Sequence, residues 1–102
     1  MDFRELLSGK GESLRIYDSI ARCLENVELF PVLIEPIYRE ALVLDEERLD
    51  RIRFALLRVQ IFADIHRNED MEQAQRLKYV AQVLEKVIFG NLMLEKEEYI
   101  AD

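Results

Sequence analysis

The residues of this chain best suited to chemistry are its single histidine, His66, and its single cysteine, Cys23. His66 ends an apolar seam beside Arg67, where its ring can bind terminal helix carbonyls and, when protonated, favour the negative end of the helix dipole. The alternative is a phosphoacceptor histidine of a signalling bundle. Because the following Arg-Asn-Glu-Asp matches no such pattern, we predict a structural role for His66.

Cys23 falls on the apolar side of a predicted helix, between Ile20 and Val27. No histidine or basic cluster lies near it in the sequence to lower the pKa of its thiol. We therefore predict that Cys23 is a small buried hydrophobic residue. A lone cysteine forms no internal disulfide, which agrees with a reducing compartment.

Motifs that would carry catalysis or metal binding are absent from the sequence. There is no Cys-x-x-Cys pair, no glycine-rich phosphate loop and no Gly-x-Ser-x-Gly turn. The fragment closest to a helical di-metal motif, Asp64-Ile65-His66, has the wrong spacing, since such sites use Glu-x-x-His. The sequence nominates no catalytic, cofactor-binding or metal-ligating residue, and a small helical enzyme is only the third interpretation.

Composition predicts one helical domain over residues 1–102. Half of the residues are apolar, about a third are charged, and threonine and tryptophan do not occur. The formal net charge of −7 is atypical of a general nucleic-acid binder. No apolar run is long enough for a membrane span, and the first residues lack a signal-peptide pattern. These features predict a cytoplasmic protein that does not bind membranes.

Periodicity predicts an all-α compact bundle of three long helices, at about 13–28, 45–67 and 70–89, with a short helix near 36–42. Ser13, Asp45 and Asp70 are the expected N-caps. Residues 1–12 form a flexible N-terminal arm with a short helical turn, which either folds back on its own core or docks on a neighbour. Residues 91–102 form an acidic C-terminal tail.

The segment 29–44 is strongly apolar but contains two prolines, Pro31 and Pro36. They predict that no single helix spans it, because Glu35 is pushed toward extended geometry and Pro36 begins the short helix. We expect the segment to pack across the bundle. The alternative is that it forms a groove wall or a docking surface.

The central helix, 45–67, is predicted to have two apolar faces. One contains Ile52, Ala55, Leu56, Val59, Phe62 and Ala63, and the other contains Phe54, Leu57, Ile61 and Ile65. A helix of this kind lies between two layers or is shared between subunits. We expect the first face to pack on 70–89 in an antiparallel hairpin. The second is then an intersubunit surface, unless 29–44 covers it.

These features predict a non-catalytic protein–protein interaction module, an adaptor, regulator or small subunit, that forms a homodimer. The candidate interface residues are Phe54, Leu57, Ile61, Ile65, Leu33, Ile34, Ile37 and Tyr38. The alternative is a dimeric nucleic-acid-associated regulator in which Arg48, Arg51 and Arg58 converge across a two-fold axis. Against it, the five arginines between residues 45 and 67 are balanced by five acidic residues.

Overall fold

The computed structural model describes residues 2–90, which form five α-helices. These are α1 (Phe3–Ser8), α2 (Ile16–Glu25), α3 (Phe30–Leu42), α4 (Glu46–Ile65) and α5 (Met71–Glu85). A 3-10 turn (Val27–Leu29) joins α2 to α3, and a π-helical turn (Lys86–Gly90) follows α5. No strand occurs among these residues, which confirms the all-α prediction. The predicted acidic tail, 91–102, lies outside the described residues.

Helices α4 and α5 form the predicted antiparallel hairpin, which is the centre of the fold. Leu56 and Val59 of α4 and Leu77 and Leu84 of α5 have no exposed surface. Each of these side chains contributes about 1.5–3 kcal/mol when it is fully removed from water. The short turn after Ile65 forces the two helices to run in opposite directions.

The N-terminal arm folds back on its own core, which is the first of its two predicted alternatives, and this packing corrects the prediction of a flexible arm for α1. Phe3 and Leu7 are buried, and α1 packs against both α2 and α4. Asp2 caps α1 by accepting the Arg4 amide at 2.9 Å, and Gly9 ends it at a positive φ of 57°. A helix of six residues is unstable alone, so packing of its three apolar side chains, buried Phe3 and Leu7 and half-buried Leu6, stabilises it.

Helix α3 runs through both prolines, so the predictions of a break, of an extended Glu35 and of a helix confined to 36–42 are wrong. Pro31 lies in the first turn, where its missing amide has no intrahelical acceptor. Pro36 removes one hydrogen bond, at a cost of about 3 kcal/mol. Val32 and Pro36 are exposed, so water can bind the orphaned carbonyl, while burial of Phe30 and Ile37 offsets the loss.

The two predicted acidic caps are confirmed, but the start of the first long helix is not. Asp45 accepts the Arg48 amide at 2.8 Å and Asp70 accepts the Gln73 amide at 3.0 Å. Helix α2 begins only at Ile16, so Ser13 is not its cap. It ends at Glu25 because Asn26 turns extended and its side chain caps the 3-10 turn instead. Among the described helices, none combines the length and the hydropathy that a membrane crossing needs.

Candidate interaction surface

Helix α4 has two apolar faces, one buried and one exposed. The inner face, defined as Ile52, Leu56, Val59 and Ala63, is buried within the subunit as predicted. The outer face, defined as Phe54, Leu57, Ile61 and Ile65, is 60, 49, 48 and 69% exposed. At 100° per residue, the outer face occupies about 80° of the helix circumference. Four large apolar side chains are therefore aligned along the side of α4 that faces solvent.

The outer face is open because the subunit places helices only behind it and beside it. Helix α1 packs along one edge of α4, and α5 packs along the inner face and the other edge. Helix α3 packs mainly on α2 instead. The segment 29–44 therefore does not cover the outer face, and the one-subunit alternative is not what the structure has.

The four candidate interface residues of α3 do not join this surface. Ile37 has no exposed area and belongs to the core, so its place among the candidates is wrong. Leu33 and Ile34 are half-buried against the core, and Tyr38 is also half-buried. The exposed apolar residues of this region are Val32, Leu42 and Val43. Sequence reasoning missed them because the predicted helix break left the face of α3 undefined.

The edge of the outer face toward α1 is lined by arginines that are already bound. Arg58 donates from Nε to the Leu6 carbonyl at 3.2 Å and from Nη2 to the Leu7 carbonyl. This edge also holds Arg51, which donates to Glu12 at 2.9 Å and to Glu47 at 3.0 Å. The guanidinium groups on this edge are therefore engaged within the subunit.

The third arginine of the predicted nucleic-acid surface, Arg48, binds the carboxylate of its own helix cap, Asp45. The Arg48 amide hydrogen bond is also the main reason why the pKa of Asp45 lies below its ordinary value. Each of Arg48, Arg51 and Arg58 thus has an intramolecular partner. The structure does not bring them together as one free cationic patch.

The opposite edge, toward α5, carries alternating charges. The Arg53 guanidinium carbon lies 4.5 Å above the Phe89 ring, a cation–π contact. Asp64 binds Lys78 of α5 at 2.8 Å, and both of these side chains are partly exposed. Beside this edge runs a groove of about 750 Å³ lined by Arg53, Gln60, Gln82, Glu85, Lys86, Phe89 and Gly90.

The lining of that groove contains few groups that could take part in chemistry. It contains one carboxylate, Glu85, which accepts a hydrogen bond from Gln60 at 3.3 Å. No serine, cysteine or histidine lines it. No cluster of three metal-ligating side chains exists within residues 2–90. The geometry therefore nominates no catalytic group here.

His66 lies at the C-terminal end of α4, as predicted, but its ring does not bind the helix carbonyls. Its Nδ1 lies 2.8 Å from the Glu69 carboxylate, and its ring centre lies 4.3 Å from that of Phe62. The local turn is instead closed by the His66 carbonyl, which accepts the Glu69 and Asp70 amides. The short sequence separation of His66 and Glu69 is the signal that could have identified this pair.

Cys23 is fully buried in α2, as predicted. Burial raises the pKa of its thiol to about 11, because the low-dielectric core disfavours the thiolate. A thiol in this state is neither a good nucleophile nor a good metal ligand. Cys23 therefore contributes to packing.

Comparison with known proteins gives no relative: no protein-family model, curated protein or solved structure matches the chain. The function is therefore argued from the geometry of the described residues.

Proposed function

We propose that the chain is a non-catalytic protein–protein interaction module, an adaptor, regulator or small subunit of an assembly, that forms a homodimer through the outer face of α4. The observation that carries this proposal is the row of four large apolar side chains, each about half or more exposed, on one face of α4. We place the protein in the cytoplasm because its single cysteine, Cys23, is unpaired, as is usual in a reducing compartment.

The size of the outer face supports an interaction role. From their fractional exposures, the four side chains leave roughly 400 Å² in water, in the range where the largest apolar patch of a monomer is often functional. Scattered exposed apolar residues are normal on a surface. Here they form a continuous row from Phe54 to Ile65, about 16 Å long at 1.5 Å per residue. Burial of such a row favours association.

Two other classes of function receive less support from the geometry. A nucleic-acid surface needs free arginines or lysines to replace phosphate counterions. Arg48, Arg51 and Arg58 are instead engaged within the subunit, and the chain carries a net charge of −7. An enzyme needs convergent reactive groups, and the groove beside Arg53 offers a single carboxylate.

The proposal is tested by sedimentation equilibrium of the full chain and two variants. We expect the wild type to be a dimer at micromolar concentration and Ile61→Glu to be a helical monomer, because the dimer would bury the new charge. The matched control is Val32→Glu, which adds the same charge at an exposed apolar residue of α3 and should stay dimeric. A wild type that remains monomeric at all concentrations, or an Ile61→Glu dimer of unchanged affinity, contradicts the proposal.

A further inference from the structure

We infer that the outer face of α4 binds the same face of a second copy in antiparallel orientation. The two-fold axis crosses the outer face at the level of Val59 along the helix, and Arg53 of each copy lies beside Asp64 of the other. This inference rests on the proposed function and specifies its partner and geometry. It is carried by the spacing of the apolar residues and by the order of charges along one edge of α4.

The spacing of the outer face is nearly symmetric about Val59. Leu57 and Ile61 lie two residues before and after it, and Phe54 and Ile65 lie five before and six after. A two-fold axis perpendicular to the helix therefore places Leu57 opposite Ile61 and Phe54 opposite Ile65. The residual mismatch is one residue, about 1.5 Å along the axis. Such self-complementarity is what an isologous interface requires.

The charges on the α5-side edge obey the same symmetry. An axis of this kind brings like edges of the two helices together, so Arg53 and Asp64 share an edge with their own copies. Arg53 lies six residues before Val59 and Asp64 five after it. Each Arg53 is therefore level with Asp64 of the second copy, to within about 1.5 Å along the helix. Both side chains project at the angle where flanking charges pair in coiled coils.

The α1-side edge tolerates the same arrangement. Arg58 is the basic residue nearest the axis, and two copies of it approach each other in an antiparallel pair. Its guanidinium is turned toward the C-terminal carbonyls of α1, where it binds Leu6 and Leu7. The positive charge is thus directed away from the outer face and is matched by the negative end of a helix.

A parallel pair fits the charges less well. It would place the α1-side edge of one copy against the α5-side edge of the other at the same level. Arg53 would then lie close to Arg51 of the second copy. Asp50, which helical periodicity places in the arc of the outer face one turn before Phe54, would face its own copy near the axis. Like charges that face one another repel, so they disfavour the parallel pair. The sequence positions thus select the antiparallel pair.

The apolar area alone is small for a pair of copies that meet face to face. Apposed outer faces bury roughly 800 Å² of apolar side chain in total, against the ~1,000 Å² that a specific interface should exceed. The flanking Arg53, Gln60 and Asp64 line the edge and supply the remaining polar rim. With this rim, one helix pair comes close to about 1,000 Å², which is the size of a weak dimer rather than of a permanent one.

The charge pair is tested by reversal. Arg53→Asp places an acid beside Asp64 of the second copy, and we expect the dimer dissociation constant to rise several-fold, with a reduced dependence on salt. The double variant Arg53→Asp/Asp64→Arg re-forms the pair in reverse and should recover most of the affinity. A double variant that binds more weakly than Arg53→Asp contradicts the pairing.

The orientation is tested by disulfide trapping in the full chain under mild oxidation. Three samples are compared on a non-reducing gel: Phe54→Cys alone, Ile65→Cys alone, and their equimolar mixture. An antiparallel pair brings residue 54 of one copy to residue 65 of the other, whereas residue 54 lies about 15 Å along the helix from its own copy, far beyond disulfide reach. We expect a crosslinked dimer only in the mixture. Val32→Cys controls for random collision, and buried Cys23 is silent.

The outcomes separate this inference from the proposed function. Strong crosslinking of Phe54→Cys or of Ile65→Cys alone shows a parallel pair, which overturns the orientation and leaves the interaction module standing. The absence of crosslinks in a sample that sediments as a dimer also overturns the orientation. A wild type that sediments as a monomer overturns the proposed function and this inference together.

Discussion

The inner and outer faces of α4 are built from the same kinds of residue but meet different surroundings. Ile52 and Leu56 on the inner face are fully buried, whereas Phe54 and Ile65 on the outer face are mostly exposed. The difference lies in the neighbours, because α1 and α5 cover one side of the helix and none of the described helices covers the other. An apolar pattern marks a surface for burial without specifying what buries it.

The two polar edges of the outer face also differ from each other. The arginines toward α1 are tied to carbonyls and carboxylates of their own subunit. Toward α5, Arg53 rests on an aromatic ring and the Asp64 carboxylate is still 55% exposed despite its contact with Lys78. On the α1 side the guanidinium groups are bound within the subunit, and on the α5 side the Asp64 side chain keeps exposed area beside its contact with Lys78.

The same acidic substitution should have opposite effects on the two faces of α4. Val59→Asp should prevent folding, since an unpaired buried carboxylate costs several kcal/mol and a domain of this size is stable by about 5–15 kcal/mol. Ile61→Asp should remain helical by circular dichroism. If both variants unfold, the outer face is covered within the subunit and the distinction between the faces fails.

The labelling rate of the Cys23 thiol measures how well the core excludes a reagent. With its pKa at about 11 against an ordinary 9.0, the thiolate population near neutral pH is lower by about 100-fold, before steric exclusion is counted. We expect a thiol reagent to label the native chain at least that much more slowly than the chain in denaturant. Val59→Asp is the positive control, because an unfolded chain should label at the denatured rate. Equal rates for native and denatured wild type would show an open core.

Arg58 tests whether the α1-side edge stabilises the subunit. Arg58→Ala leaves the Leu6 and Leu7 carbonyls without their donor, and we expect a loss of about 1–3 kcal/mol in the free energy of unfolding by urea titration. Arg67→Ala, at an exposed residue after α4, is the control and should cost less than about 0.5 kcal/mol. Equal losses for the two variants would mean that α1 docks without the arginine.

Phe54 tests the outer face without adding a charge. Phe54→Ser removes the largest side chain of that face, and we expect the dimer dissociation constant to rise at least about tenfold because aromatic residues are frequent hot spots. The wild-type melting temperature should increase with protein concentration, and that of Phe54→Ser much less so. Tyr79→Ser removes an exposed aromatic of α5 and is the matched control. A concentration-independent wild-type melting temperature argues against the dimer.

The smallest expected effect is at His66. His66→Gln removes a surface contact with Glu69, and we expect a loss of at most about 1 kcal/mol with dimerisation intact. Glu69→Gln should have an effect of similar size, because it removes the other half of the same contact. A His66→Gln protein that folds normally but no longer dimerises would show that His66 takes part in association.

Local signals explain which parts of the fold could be predicted. The acidic caps Asp45 and Asp70 were predictable because each binds an amide only three residues away. The outer face of α4 was predictable as a pattern, since helical periodicity places its residues in one row. The proline signals in α3 are local too, but they give a wrong prediction, because burial of Phe30 and Ile37 together offsets the loss of one hydrogen bond.

Local sequence patterns were enough to predict that the chain is helical, where α4 and α5 begin, and that α4 has two apolar faces. These properties depend on residues within a few turns of each other. Four other properties follow from tertiary packing: α1 joins the core, α3 continues through Pro36, Arg58 binds the carbonyls at the end of α1, and the outer face stays open. Each of these depends on contacts between residues distant along the chain, so its outcome is a balance of packing energies that no local pattern contains.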